Sequence, residues 1–199
     1  MINKSIALSL LSIFVVLAVV GGLTLAFFSN QGTSSSNTFS TGTLDLKLTD
    51  TDEIDQDSVT ASFGSNTLVP GTCTGNQTLT LKNTGTVAAN HAEVTLANAV
   101  TDTNSDASPD MDSFLRINNL TYDGSDVSGQ ITDLNGNTFK DLNDWAADPN
   151  DLDSLSLTNL NTGHDLVLDV CLDSSAGNTL QGDSVVATFT ATLNQDASQ

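Results

Sequence analysis

Oxygen-bearing side chains recur at alternate positions in the run Asp102-Thr103-Asn104-Ser105-Asp106-Ala107-Ser108 and return at Asp112. Such spacing lets one turn aim several hard ligands inward, which is how a calcium loop is built. Two places depart from that pattern: Ala107 stands where the sixth-place glycine belongs, and Ser113 where the closing glutamate belongs. Asp102, Asn104, Asp106, Ser108 and Asp112 are thus candidate calcium ligands, with a solvated acidic loop as the competing reading. The runs Asp50 to Asp57 and Asp141 to Asp153 fit less well. Calcium is the one cofactor the residues suggest.

Zinc and nucleophilic chemistry find less support. His91 and His164 are the only histidines; they stand far apart in strand and loop contexts, and no H-E-x-x-H spacing is present. Both are expected to be ordinary surface histidines. No Gly-x-Ser-x-Gly elbow or phosphate-cradling loop occurs, so no catalytic residue is assigned. Cys73 and Cys171 are the only cysteines, and on an exported chain two lone thiols are expected to be joined. Closing so long a loop stabilises by about 4 to 5 kcal/mol in the chain-entropy model. Asn76-Gln77-Thr78 and Asn119-Leu120-Thr121 are N-glycosylation acceptor triplets, of a kind that chance supplies often in an Asn/Thr-rich chain.

Export is read from the first residues. Lys4 supplies a minimal positive region, Ile6 to Val20 an apolar run, and Thr24 and Ala26 the small residues that a signal peptidase needs before Phe27. The expected cut falls after Ala26, making residues 1–26 a signal peptide. Two other fates stay open: an uncleaved anchor, because Ile6 to Phe28 is long enough for a bilayer of about 30 Å, and a pilin-like leader cut near Lys4-Ser5. Gly21-Gly22 and the small residues favour cleavage.

After that cut, Lys47, Lys82, Arg116 and Lys140 stand against 24 acidic residues, nearly all of them Asp. Nucleic acid and anionic lipid are excluded as partners on charge grounds, and the membrane enters only through the signal segment. Screening salt or divalent cations should favour so acidic a chain. Asp, Asn, Ser, Thr and Gly disfavour helix and favour turns and strand faces.

These residues must be positioned by strands. Leu44, Leu46 and Leu48 alternate with Asp45 and Lys47, and further alternation covers Val59 to Phe63, Leu79 to Leu81, Ala92 to Leu96, Phe114 to Tyr122, Leu166 to Leu172 and Val185 to Leu193. Turn signals such as Val69-Pro70-Gly71, Asp123-Gly124 and Asn135-Gly136 separate them. At least seven strands in one domain, residues 41–199, predict an all-β antiparallel sandwich or jelly roll. Phe139 to Leu157 carries helical spacing at Phe139, Leu142 and Trp145 until Pro149, predicting one short inserted helix. In the strand carrying Cys171, alternation turns Leu168, Val170 and Leu172 inward and leaves the disulfide as a surface clasp. Residues 27–40, FFSNQGTSSSNTFS, are uncharged and polar between apolar ends, able to extend as a strand, with a disordered linker as the other reading.

Four blocks in order behind this leader resemble the TasA and camelysin family of secreted matrix-fibre proteins, which extends to archaeal bundling pili: NTFSTGTLDLKL from Asn37, Leu68-Val69-Pro70-Gly71, LTLKNTGTVAANHAEVTL from Leu79, and NTLQGDSVVATFTATLNQ from Asn178. The resemblance implies a jelly-roll subunit, preceded by a signal helix, that polymerises head to tail outside the cell. It also implies that the freed N-terminal segment of one copy completes the sheet of the next, with Phe27, Phe28 and Phe39 as pocket fillers. The abundance of Asp and the Cys73/Cys171 pair are not part of that pattern. Camelysin has been classed with metallopeptidases, but the missing H-E-x-x-H argues for a structural protein rather than an enzyme. The alternative is a membrane-anchored or monomeric surface adhesin or calcium-binding module.

Overall fold

The computed structural model describes residues 3–23, 40–50, 53–60, 63–65, 67–103, 110–149 and 152–197, with backbone alone at 20–23. The chain divides into two compact units, Met1–Ser40 and Thr41–Gln199. In the first unit a helix, α1 (Lys4–Leu23), runs for 20 residues, about 30 Å at the usual rise. Leu8, Leu11, Phe14 and Leu17 are all exposed on it, and a helix apolar on every side needs a lipid or protein partner to cover it. Over the described residues, no helix is long and apolar enough to cross a membrane. Thr24, Ala26, Phe27, Phe28 and Phe39 lie outside the described residues.

The second unit holds two antiparallel sheets around one core. The larger joins β1 (Leu46–Thr49), β2 (Gln77–Asn83), β4 (Leu115–Tyr122), β5 (Ser125–Asp126) and β7 (Gly163–Leu172) in the order β1-β2-β7-β4-β5; the smaller joins β3 (His91–Thr101), β6 (Leu152–Leu155) and β8 (Ser184–Asn194) in the order β6-β3-β8. Alternation explains the layering. Leu79 and Leu81 on β2, Val94 and Leu96 on β3, and Leu166, Leu168, Val170 and Leu172 on β7 point inward and are buried. Between them pack Leu120, Ile131, Trp145, Leu152 and Leu157.

One short helix, α2 (Leu142–Ala147), lies in the connection between β5 and β6. It begins at Asp141, whose carboxylate accepts from the Asp144 N–H while Asp144 accepts from the Asp141 N–H, a reciprocal cap. It stops at Asp148, before Pro149, which cannot continue it. Leu142 and Trp145 are buried. Phe139 precedes the helix and lies under the Arg116 guanidinium, 4.7 Å from ring centre.

One expectation needs correction, and one strand was not foreseen. Val59 to Phe63 forms no strand among its described residues; Phe63 is apolar because it plugs the core from a loop, edge-on to Phe189 with ring centres 5.0 Å apart. The stretch after Pro149 holds the strand β6. Its two leucines, three residues apart, both face inward because Ser154 takes φ 66° and the register with β3 slips between Ala92 and Val94, a bulge.

Candidate functional site at an open sheet edge

Among the described residues, the outer edge of β8 is the most conspicuous unpaired backbone. Every residue of β8 is in register with β3, from Ser184 opposite Thr101 to Asn194 opposite His91, without a slip. Among the described residues no strand pairs with its other edge. The other edge strands are short: 4 residues in β1, 2 in β5 and 4 in β6, against 11 in β8. On β1 the outer edge is also covered, because Leu48 exchanges both backbone hydrogen bonds with Gln56.

Long edges are normally blunted by lysine, proline or a bulge, since free N–H and C=O groups template further pairing. The β8 sequence SVVATFTATLN contains no charge, proline or glycine. Its inward residues Val185, Ala187, Phe189, Ala191 and Leu193 are only half-buried, whereas Ala92, Val94 and Leu96 on the neighbouring β3 are 0, 0 and 5% exposed. The difference has a simple cause: β3 has strands on both sides and β8 on one.

Beneath that edge the two sheets leave a cavity of about 310 Å³, lined by Phe63, Leu68, Leu115, Leu168, Val185 and Phe189 among others. This is the lower end of the size range of ligand clefts, about 300–1,000 Å³. Phe189 is fixed between Phe63 and Trp145, with ring centres 5.0 and 5.3 Å away, both edge-on.

Where the chain enters the sandwich it is held tightly. Thr86 and Val87 donate their N–H groups to Thr43 O at 2.8 and 3.2 Å, and Thr43 N–H donates to Thr86 Oγ1. Asn83, fully buried, accepts from the Gly85 and Asp45 N–H groups and donates to Val87 O. Close packing here needs glycine: a Cβ on Gly85 would stand 2.2 Å from Thr43 O, and one on Gly42 would stand within the Val87 side chain.

The two histidines are not surface residues. His91 is 6% and His164 8% exposed, and each faces its own aspartate: His91 Nε2 lies 2.9 Å from Asp153 Oδ1, His164 Nδ1 2.6 Å from Asp123 Oδ2. They sit on different sheets. His91 lines a second cavity of about 180 Å³ with Glu93, Asp153 and Asn194, while His164 stacks on Tyr122, whose own hydroxyl burial pushes up in pKa. Among the described residues the group that brings three metal-binding side chains together is Cys73, Asp169 and Cys171. Those two sulfurs are bonded to each other, so neither is the thiolate that zinc requires. The described residues therefore do not fit a catalytic zinc centre. Asp169 is engaged as a structural acceptor, taking hydrogen bonds from Thr74 Oγ1 and Asn118 Nδ2.

Of the calcium candidates, Asn104, Asp106 and Ser108 lie outside the described residues. Asp112 is 4% exposed and accepts from Asn98 and Asn143 through Oδ2; Asp102 directly follows β3 and is half-buried. A second network, centred on Asp141 and Asp144 at the start of the run Asp141 to Asp153, reaches back to Asp133, Asn135 and Asn137, which the sequence did not single out. Asp141 and Asp144 are both 0% exposed. Asp141 Oδ2 accepts from Asn135 Nδ2 and Asn137 Nδ2, Asp144 Oδ1 from the Leu134 and Asn135 N–H groups, and Asp133 from Gly136 and Thr138. Burial pushes the Asp141 carboxyl above its ordinary pKa, opposed by these donors. At the surface the Ser175 hydroxyl and N–H, with Arg116, hold Asp173 below its ordinary value. The signal for the buried network was the spacing of Asp133, Asn135, Asn137, Asp141 and Asp144 just ahead of a helix cap.

The family model described as camelysin metallo-endopeptidase matches residues 1–199, the whole chain. No curated protein matches the chain.

Proposed function

Because this chain belongs to the camelysin metallo-endopeptidase family, which includes the TasA-like proteins, we propose that it is a secreted jelly-roll subunit whose copies polymerise head to tail by strand donation into an extracellular matrix fibre or pilus. Family membership suggests a secreted matrix protein and an extracellular or cell-surface location. The observation that carries the finer reading is the β8 edge: long, in unbroken register, uncharged, unpaired among the described residues, and set over a cavity lined in part by Phe63, Leu68 and Phe189.

In this reading the donor is Phe27–Ser40, freed when the leader is cut after Ala26. Extended at about 3.4 Å per residue it reaches roughly 48 Å, enough for the roughly 37 Å of β8. Main-chain hydrogen bonds supply the affinity and side-chain pockets the register. Strand alternation sets Phe27 and Phe39 on one face, toward the cavity, and Phe28 on the other. The donor precedes β1, a strand of the larger sheet, in the chain, whereas the acceptor edge belongs to the smaller sheet. Donor and acceptor are thus different surfaces, and repeated joining gives an open filament.

The test is negative-stain electron microscopy of the protein starting at Phe27 beside one starting at Thr41, in low and high salt. Fibres from the longer form alone support strand donation. Absence of fibres from both forms would replace it with a monomeric or anchored adhesin.

Calcium belongs to this reading as a stabiliser of the subunit. Overlapping the start of the Asp141 to Asp153 run, Asp133, Asn135, Asn137, Asp141 and Asp144 hold the first, third, fifth, ninth and twelfth places of a calcium loop, and Thr138 takes φ 80° at the sixth. Trp145 follows directly, so its fluorescence should change on adding calcium; an unchanged spectrum and melting temperature would remove calcium from the account.

The family description leans toward an enzyme, and a metallo-endopeptidase is the second reading. Chelator-sensitive casein cleavage by the wild type that disappears in His91→Ala would establish it in place of ours.

A further inference from the structure

We propose that Asn76 carries an N-linked glycan and that Asn119, the second acceptor asparagine, orients it. The two triplets, far apart in the chain, meet in the fold: Asn119 Nδ2 donates to Asn76 Oδ1 at 3.1 Å. That contact ranks them. A glycan is built on Nδ2, and the Asn119 nitrogen is engaged by its neighbour. The Asn76 nitrogen makes no hydrogen bond among the described residues, and with its oxygen held by Asn119 it is turned outward.

The backbone agrees with the ranking. Thr74 N–H donates to Val170 O and Gln77 pairs with Leu168, so Gly75 and Asn76 together stand opposite the single residue Asp169. Two residues against one form a bulge that lifts the chain off the ladder, and Gly75 takes φ 76° to make it. Asn76 and the triplet's Thr78 are both exposed, as a surface acceptor must be. Asn119 is half-buried inside β4 and paired with Asp169, and its Thr121 is paired on both sides, with Val167 and Asp126.

The ligand class is a lipid-phosphate-linked oligosaccharide presented by a membrane transferase. Asn76 Nδ2 attacks the anomeric carbon; the new N–C bond forms as the C–O bond to phosphate breaks, the lipid phosphate leaves with the bonding electrons, and the amide proton passes to the transferase. Asn76 Oδ1 is untouched by this step, so the Asn119 hydrogen bond survives it.

This inference rests on the export reading. The experiment is intact-mass and glycopeptide mass spectrometry of the full protein purified from the cells that make it, with the medium and cell fractions analysed separately. The expected result is one glycan per subunit, on the peptide bearing Asn76. Thr78→Ala, which removes the acceptor triplet but keeps the Asn76–Asn119 contact, loses the whole mass increment; Asn76→Gln does the same, and Thr121→Ala keeps it. Bare Asn76 in protein recovered from the medium, or a glycan on Asn119, overturns the proposal alone. Bare protein confined to the cytoplasm overturns it together with export.

Discussion

If β8 accepts a strand from a neighbour, a charge placed on its inward face should spare the subunit and block the polymer. Ala187 is the position to use. It points into the sandwich yet is half-buried, beside the open cavity of about 310 Å³, so a lysine there can reach water through the unpaired side. Once a donor strand closes that side, the ammonium has no exit. Burying an unpaired ion costs several kcal/mol even after relaxation, and about 3 kcal/mol is already more than a hundredfold in association. Ala187→Lys should therefore raise the critical concentration for fibres by about a hundredfold or more, while its urea midpoint as a monomer starting at Thr41 stays within about 1 kcal/mol of wild type. Val186→Lys is the internal control, because Val186 is 63% exposed on the opposite face and stays wet in either state. Sedimentation of fibres across a concentration series, with electron microscopy of the pellets, reads both. Ala187→Lys fibres at the wild-type concentration would refute β8 as the acceptor edge, and a monomer that unfolds would refute the premise that the edge is open.

Gly85→Ala should destabilise the Thr41–Gln199 unit by about 1–3 kcal/mol in urea denaturation, because its Cβ meets backbone at Thr43 O and Asp45 N; an unchanged midpoint would mean the chain entry is loosely held. Replacing Cys73 and Cys171 together by Ser should cost about 2–5 kcal/mol in the same assay, and no loss would mean the bridge adds nothing to the sandwich. Asp45, Asp55, Asp126 and Asp173 are each held below the ordinary 3.8 by hydrogen bonds to their charged form. Their contributions are present above that value and lost as pH falls through the lowered ones, so stability should drop on acidification below about pH 4. Asp141 runs the other way: its pKa is raised, so its contribution is full below 3.8 and lost as pH rises through the raised value. Asp141→Asn turns an acceptor of two amides into a donor facing them and should cost about 1–3 kcal/mol at pH 7, with the gap from wild type widening toward pH 4; a narrowing gap would refute the shift.

How far the fold was legible follows from what each signal depends on. Strands β2, β3, β4, β7 and β8 alternate because one face of each meets the core, and period 2 is local information. The helix α2 announced itself through Leu142, Trp145 and the stop at Pro149. Val59 to Phe63 mimicked a strand because a loop residue that plugs a core is as apolar as one that lines it. In β6 the inward leucines are three apart, which reads as helix, and only the slip against β3 turns that spacing into a bulged strand. The histidines were misjudged for a different reason. Asp153 and Asp123, which make their burial tolerable, come from elements distant in sequence, and no local pattern reports such a partner. The same holds for the open edge: alternation gives the inward face of β8, but whether a strand lies beside it is a property of the sheet.

Charge bears on whether such an edge can be used at all. A net charge of −19 should drive copies apart, and strand donation brings backbones within about 5 Å. Yet residues 5–44, 58–81 and 184–195 contain no Asp, Glu, Lys or Arg. The first includes the proposed donor, the second carries Phe63 and Leu68 of the cavity, and the third is β8 and its exit. The acids lie elsewhere, on turns, on outward strand faces and in the Asp141 network. Repulsion between neighbouring copies thus acts mostly across solvent, where salt at physiological strength screens it within about 8 Å, while Asp183 is the one charged residue lining the cavity at the junction. The arrangement predicts that salt governs how fast subunits meet more than how tightly a donated strand holds.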